Sequence, residues 1–191
     1  QDLGGEIRLN SPVERITLAN GRAAGVVVDG RELAFDMVAS NADVVHTYRR
    51  LLGQEARGRR EGARLASRRH SMSLFVIYFG LRRTHPEVRH HTVLFGPRYR
   101  ELIAEIFKGP DLPDDFSLYL HAPTRTDPSL APEGCDAFYV LAPVPHLASA
   151  DIDWDKAAPL YRDRILAYLE ERYIPGLTAD LQTCRVFTPF D

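Results

Sequence analysis

The stretch Ser71–Leu81, S-M-S-L-F-V-I-Y-F-G-L, constrains the fold of this chain more than any other. Leu74, Phe75, Val76, Ile77, Tyr78 and Phe79 form an unbroken apolar run rich in β-branched and aromatic side chains. Such a run suits a pleated strand covered on both faces. It is far shorter than the roughly 20 apolar residues that a bilayer-spanning helix needs. Gly80 follows, where a missing side chain lets the backbone bend or a neighbour approach closely. Thr92–Phe95, Phe116–His121 and Ala137–Ala142 have the same character. The four segments predict one antiparallel sheet with the first strand near its middle.

Ahead of that run the pattern changes to short polar-apolar strands. Glu6–Leu9 and Val13–Leu18 flank a turn at Asn10-Ser11-Pro12. Asn20-Gly21 is a strong hairpin signal, since a type I′ turn needs positive φ at both central positions. Gly25–Val28, a second turn at Asp29-Gly30, and Glu32–Phe35 complete a three-stranded meander. Met37–Ala39 reads as a further short strand. Ser40 or Asn41 is placed to cap a helix whose apolar positions are Val44, Val45, Tyr48, Leu51 and Leu52, with Gly53 closing it.

The 191 residues carry a net charge of −2, which argues against a general nucleic-acid binder. Eight arginines lie between Arg49 and Arg69, against Glu55 and Glu61. That stretch is either a basic face for anionic headgroups or a solvated helix and loop. In Tyr99–Lys108 the residues Tyr99, Leu102, Ile103, Ile106 and Phe107 form an apolar stripe, read either as core packing or as an interfacial anchor. His85, His90 and His91 fall in a polar stretch, Arg82–His91, and are read as loop residues without a metal. Cys135 and Cys184 form no CxxC and are expected as free thiols. A helix is expected after Asp153-Trp154-Asp155, with Pro159 in its first turn and Tyr161, Ile165, Tyr168 and Leu169 buried.

Catalytic signatures are missing: there is no GxSxG, HExxH, P-loop or GxGxxG. The residues alone reach an α+β domain with a meander appendage and an apolar sheet. Gln1-Asp2 in place of a starter Met, and an ending at Thr188-Pro-Phe-Asp191, are read as marking a piece of a longer protein.

Laid out in order, the chain resembles the bacterial-type phytoene desaturases of carotenoid biosynthesis nearly end to end. The resembling stretches are V-A-S-N-A-D-V-V-H-T-Y-R (Val38–Arg49), S-L-F-V-I-Y-F-G-L (Ser73–Leu81) and H-H-T-V-L-F-G-P-R-Y-R-E-L-I (His90–Ile103). Further on come D-F-S-L-Y-L-H-A-P (Asp115–Pro123), S-L-A-P-E-G-C (Ser129–Cys135), Y-V-L-A-P-V-P-H-L (Tyr139–Leu147) and F-T-P-F-D (Phe187–Asp191). The Asn-Ala-Asp after the meander is shared with the wider flavin amine-oxidase-like group. The F-G-P-R-Y-R-E-L and A-P-V-P-H-L stretches are more specific.

The resemblance implies a Rossmann-type flavoprotein with FAD, of which this sequence matches the middle and lacks both Gly-rich FAD motifs. The expected domains are 1–53, the meander and strand-helix part of the FAD domain, and 54–191, an antiparallel substrate domain with flanking helices. It also implies that Val13 contacts the adenosine part of FAD through its backbone, with Asn41 a second cofactor candidate. The piece by itself is expected neither to hold FAD well nor to catalyse. The implied substrate is a long polyene hydrocarbon, which needs an apolar tunnel and flavin chemistry rather than a charged catalytic residue. Phe75, Ile77 and Phe79 point to one face of the central strand and Leu74, Val76 and Tyr78 to the other. We take Phe75, Ile77 and Phe79 as the candidate substrate wall, with plain core packing as the alternative. The implied location is the cytoplasmic side of a membrane, held peripherally. Competing readings are a related polyene flavoenzyme (carotene isomerase, retinol saturase or shorter-chain desaturase) and a non-catalytic lipid- or partner-binding module.

Overall fold

A computed structural model describes residues 3–109 and 111–191 of the chain. It divides into two compact units, residues 1–69 and 70–191. Both are built from antiparallel sheets and helices, an α+β arrangement.

The first unit opens with a meander, β1 (Val13–Ala19), β2 (Arg22–Val28) and β3 (Arg31–Ala34), paired in chain order. Its turns form as the dipeptides require: Asn20 and Gly21 sit at φ 52° and 75°, Asp29 and Gly30 at 50° and 70°. Ile16 and Val27 are its buried apolar side chains. The strands expected at Glu6–Leu9 and Met37–Ala39 do not form. No neighbouring strand supplies their backbone hydrogen bonds among the described residues, and Met37 is fully out in solvent.

The helix after Ser40-Asn41 begins later than expected. Its cap is Asp43, whose carboxylate accepts a hydrogen bond from the His46 N–H at 2.9 Å. Helix α1 (Val44–His46) passes directly into a π-helical turn, Thr47–Leu51. Helix α2 (Ala56–Ala66) then packs back on that turn at two glycines. A Cβ on Gly58 would lie 2.1 Å from the Leu52 carbonyl oxygen, and one on Gly62 would lie 2.6 Å from Arg49 Cγ. Because of this close approach α2 belongs to the first unit. The compact units thus divide at 69/70, where the resemblance implied domains of 1–53 and 54–191.

The second unit is one five-stranded antiparallel sheet with α-helices, one side of it covered by a long helix near the C-terminal end. Its strands in chain order are β4 (Ser73–Leu81), β5 (His91–Leu94), β6 (Leu118–His121), β7 (Asp136–Val144) and β8 (Leu181–Phe187). Their spatial order is β5-β6-β7-β4-β8. The apolar run of β4 thus lies one strand off centre, between β7 and β8. Strand β8 was not foreseen, because Q-T-C-R carries no apolar alternation and most of the strand is exposed at the sheet edge.

Alternation, not two-sided burial, describes β4. Phe75, Ile77, Phe79 and Leu81 are buried, whereas Leu74 and Tyr78 are exposed and Val76 is half-buried. The covering element is helix α4 (Trp154–Arg172), which follows α3 (Tyr99–Lys108) in the chain. Asp153 caps α4 through a bond from the Lys156 N–H. Pro159 sits in its second turn, one turn deeper than expected. There it forfeits only the bond to the Asp155 carbonyl, and its ring faces solvent. Trp154, Tyr161, Ile165 and Leu169 are buried against the sheet, and α5 (Leu177–Asp180) adds Leu177.

A polar clasp ties the far end of β7 to the loops. Asp136, 2% exposed, accepts hydrogen bonds from the His85 backbone N–H and the Thr124 hydroxyl, each at 2.7 Å, and pairs with Arg125. Removing one partner of such a buried network leaves the others unsatisfied, at roughly 3 kcal/mol or more. Asp136→Ala in the full-length polypeptide should lower the folding free energy by about 3 kcal/mol in urea titrations. A loss under ~1 kcal/mol would show the clasp to be dispensable.

Candidate functional site

Helix α4 covers one side of the second unit's sheet. Phe75 stacks on Trp154 with ring centres 5.7 Å apart and meets Tyr161 edge-on at 5.1 Å. Phe79 stacks on Phe138 at 5.2 Å, and Ile77 is fully buried. The expected substrate wall of Phe75, Ile77 and Phe79 is therefore the helix-covered core. Apolar periodicity made the two faces of β4 look alike, and only the position of α4 separates them.

The opposite face carries an aromatic row that crosses all five strands. Phe187 of β8 meets Tyr78 of β4 at 5.6 Å, and Tyr78 meets Tyr139 of β7 at 5.4 Å. Tyr139 contacts Tyr119 and His121 of β6 at 5.9 and 4.7 Å. His121 in turn stacks on His91 of β5 at 5.0 Å. Strand register explains the row, since Tyr78 pairs with Tyr139, Tyr139 with His121, and His121 with His91. Leu74, Val76 and Leu141 fill in between, none of them buried. Four strand spacings make the row about 19 Å long. At one end the Arg185 guanidinium lies over the Phe187 ring, 4.7 Å from its centre. Burial and a hydrogen bond with Tyr119 raise the Tyr139 phenol above its ordinary range, so it stays protonated at neutral pH.

Three histidines end the row, and the sequence reading had placed two of them in a loop. His91 opens β5 and faces His121 across the β5–β6 ladder, while His90 lies directly before it. His90 Nε2 and His121 Nε2 are 2.7 Å apart, close enough for one shared proton. His90 Nδ1 is engaged by the Thr126 hydroxyl and His91 Nδ1 by the Tyr119 hydroxyl, the latter at 2.6 Å. Burial, then the neighbouring His90 and His91, lower the His121 pKa. The adjacency of His90 and His91 hid this cluster, because two successive side chains share no strand face. His90 reaches the group from outside the ladder, and the pairing partner His121 is 30 residues away in the chain.

In the first unit Val13 is 39% exposed on the wall of an open cavity of about 780 Å³. Arg8, Ser11 and Phe35 share that wall. Asn41 is exposed in an irregular segment and does not line this cavity, so the two cofactor candidates are not brought together there. Asn41 is also not the helix cap, a role held by Asp43. Val13 lies on an outer strand of the meander, which leaves backbone groups on one side free for a ligand.

An antiparallel sheet shielded by helices on one side, preceded by a separate meander unit, is an architecture of flavoprotein oxidoreductases. The chain belongs to the flavin-containing amine oxidoreductase family, whose pattern it matches over residues 1–152. Among curated relatives it is 60% identical to a lycopene-forming phytoene desaturase from a Paracoccus species, over 99% of this chain and 38% of that protein. The lycopene-forming enzyme of Pantoea ananas is 56% identical over 100% and 39%, and the neurosporene-forming enzyme of Rhodobacter capsulatus 45% over 98% and 37%. The chain thus spans a little over a third of the length of these relatives. A crystal structure of an oxidoreductase from Methanosarcina mazei shares the fold, with a TM-score of 0.52 and 20% identity over 93% of this chain and 36% of that one.

The two faces make opposite demands on a mutation. Phe75→Ala in the full-length polypeptide removes a fully buried ring and should cost about 3–5 kcal/mol in urea titrations. Tyr78→Ala, on the half-open face, should cost under ~1 kcal/mol. Equal losses at the two positions would mean that both faces are core.

Proposed function

We propose that the chain is the central part of an FAD-dependent phytoene desaturase, and that the aromatic face of its second unit contacts the polyene. The observation that carries this reading is the row from Phe187 to His91, an aromatic strip about 19 Å long on the sheet face away from α4. A polyene hydrocarbon offers no polar handle, so its recognition rests on dispersion contacts with flat, polarisable side chains. Tyr78, Tyr119 and Tyr139 present ring faces and edges, and Leu74, Val76 and Leu141 fill the gaps. The identities of 56–60% to lycopene-forming relatives, against 45–46% to neurosporene-forming ones, favour a lycopene-forming enzyme.

FAD, when bound, supplies the hydride acceptor for desaturation at an allylic carbon. This chain's contribution to holding it is limited to the first unit. There Val13 offers outer-strand backbone and the neighbouring cavity offers room, while no Gly-rich phosphate loop is present. The sheet's part is to bind and align the substrate and to keep water from it. A non-catalytic lipid-binding module is the alternative, and it would dispense with the flavin. Full-length enzyme reconstituted with FAD should convert phytoene in lipid vesicles to more conjugated products, read by absorbance and chromatography. Retention of phytoene without conversion would favour the module.

Delivery of such a substrate calls for contact with the bilayer, and we place that contact at α2. No helix among the described residues is long and apolar enough to cross a membrane. The Arg59 side chain caps the Gly53 and Gln54 carbonyls, and Arg64 is engaged by Glu61. Arg57, Arg60, Arg68 and Arg69 are exposed, and their side chains have no hydrogen bond or ion pair among the described residues. Exposed, unpaired arginines of this kind suit attraction to anionic headgroups. On α3, in the second unit, Leu102 and Ile106 are buried and of the apolar stripe only Tyr99 is exposed, so α3 is left out of the contact. Replacing Arg57, Arg60 and Arg68 by Glu should reduce flotation of the full-length protein with anionic liposomes several-fold. Unchanged flotation would remove α2 from the contact.

A further inference from the structure

We propose that His90, His91 and His121 form a three-imidazole binding site for a zinc-class divalent cation at the β5–β6 edge of the sheet. One nitrogen from each ring lies within 4.8 Å of the other two. A tetrahedral site with Zn–N bonds of about 2.0–2.1 Å holds its nitrogens about 3.3 Å apart. The His90–His121 Nε2 pair, at 2.7 Å, is already closer than that, so a cation would replace the shared proton by spreading the two rings slightly.

The outer contacts select the ligating nitrogens. Thr126 engages His90 Nδ1 and Tyr119 engages His91 Nδ1. With a cation on Nε2, each Nδ1 becomes an N–H donor to its hydroxyl, the usual way in which metal-bound imidazoles are oriented. His121 Nε2 points at His90, while its Nδ1 is buried without a partner. His90 and His121 thus direct Nε2 at each other, and His91, stacked against both rings, brings a nitrogen within 4.8 Å of theirs, so a cation would draw it in by a turn of its exposed side chain. The three residues come from two paired strands and the position just before one of them, so the backbone ladder holds them in register. No carboxylate belongs to the cluster. A neutral all-nitrogen set suits zinc, copper or nickel rather than magnesium or calcium. Three protein ligands leave a fourth position open, the pattern of an accessible rather than a closed structural site. The proposal stands on the second unit's own geometry and does not depend on the flavin or the polyene.

The test uses untagged full-length polypeptide, stripped with chelator and dialysed against zinc chloride. Metal analysis should return one zinc per chain with a dissociation constant of about 1 μM or tighter. Zinc should also raise the melting temperature, and EDTA should reverse the rise. Cobalt substitution should give the visible bands of a tetrahedral nitrogen site, read as a difference spectrum. His121→Ala should weaken zinc binding by at least ~10-fold, a typical loss for one ligand or its support. His91→Ala should do the same at an exposed position that folding does not require, and His70→Ala should leave binding unchanged. No stoichiometric uptake, or uptake that survives His91→Ala, would overturn the proposal.

Discussion

Phe75 lies between the Trp154 and Tyr161 rings of α4, and this contact closes one side of the five-stranded sheet. Ile77 and Phe79 follow on the same face of β4, and Phe138, Val140 and Ala142 continue it on β7. The side that α4 covers becomes core, and every side chain of opposite parity is left toward the open. Because strand side chains alternate with period two, a single docked helix assigns the facing of all five strands at once. The aromatic row from Phe187 to His121 is the consequence on the far side. Its polar tips, the Tyr hydroxyls and imidazole nitrogens, are tolerated because that face is only partly buried.

Much of this was legible in the residues. The Asn20-Gly21 and Asp29-Gly30 turns, the apolar run at Leu74–Phe79 and the buried stripe Tyr161, Ile165 and Leu169 all announce their elements by local chemistry. The facing of β4 was not legible, since Phe75-Val76-Ile77-Tyr78 is apolar at both parities and the covering helix lies some 80 residues on. Strand β8 escaped for the opposite reason: its Thr183-Cys184-Arg185 is polar at both parities, as an exposed edge permits. The strands expected at Glu6–Leu9 and Met37–Ala39 have suitable residues but no pairing partner among the described residues, and propensity alone does not hold a strand.

The site shows the same division between local and long-range information. Val13 was nominated through the resemblance alone, and the meander only fixes where it stands in the fold. The histidine cluster could not be named, because His121 joins it only through the β5–β6 register. Asp136 was missed for a similar reason. Its partners are His85 in an irregular segment and Thr124 and Arg125 in a single 3-10 turn, whose approach no apolar periodicity records. Buried polar groups of this kind act in concert, and each is satisfied only when loops distant in sequence have docked.

The central claim is that the face of β4 and β7 away from α4 is the one that meets the polyene. Leu141 tests it most directly, since it faces Val76 in the middle of the row and is only half-buried. The measurement is the distribution of desaturation products from full-length Leu141→Trp enzyme, taken together with its melting temperature. The account predicts a shift toward products with fewer introduced double bonds and a melting temperature within about 2 °C of the parent enzyme's. An unchanged product distribution accompanied by a large fall in melting temperature would contradict it, and would make this face core as well.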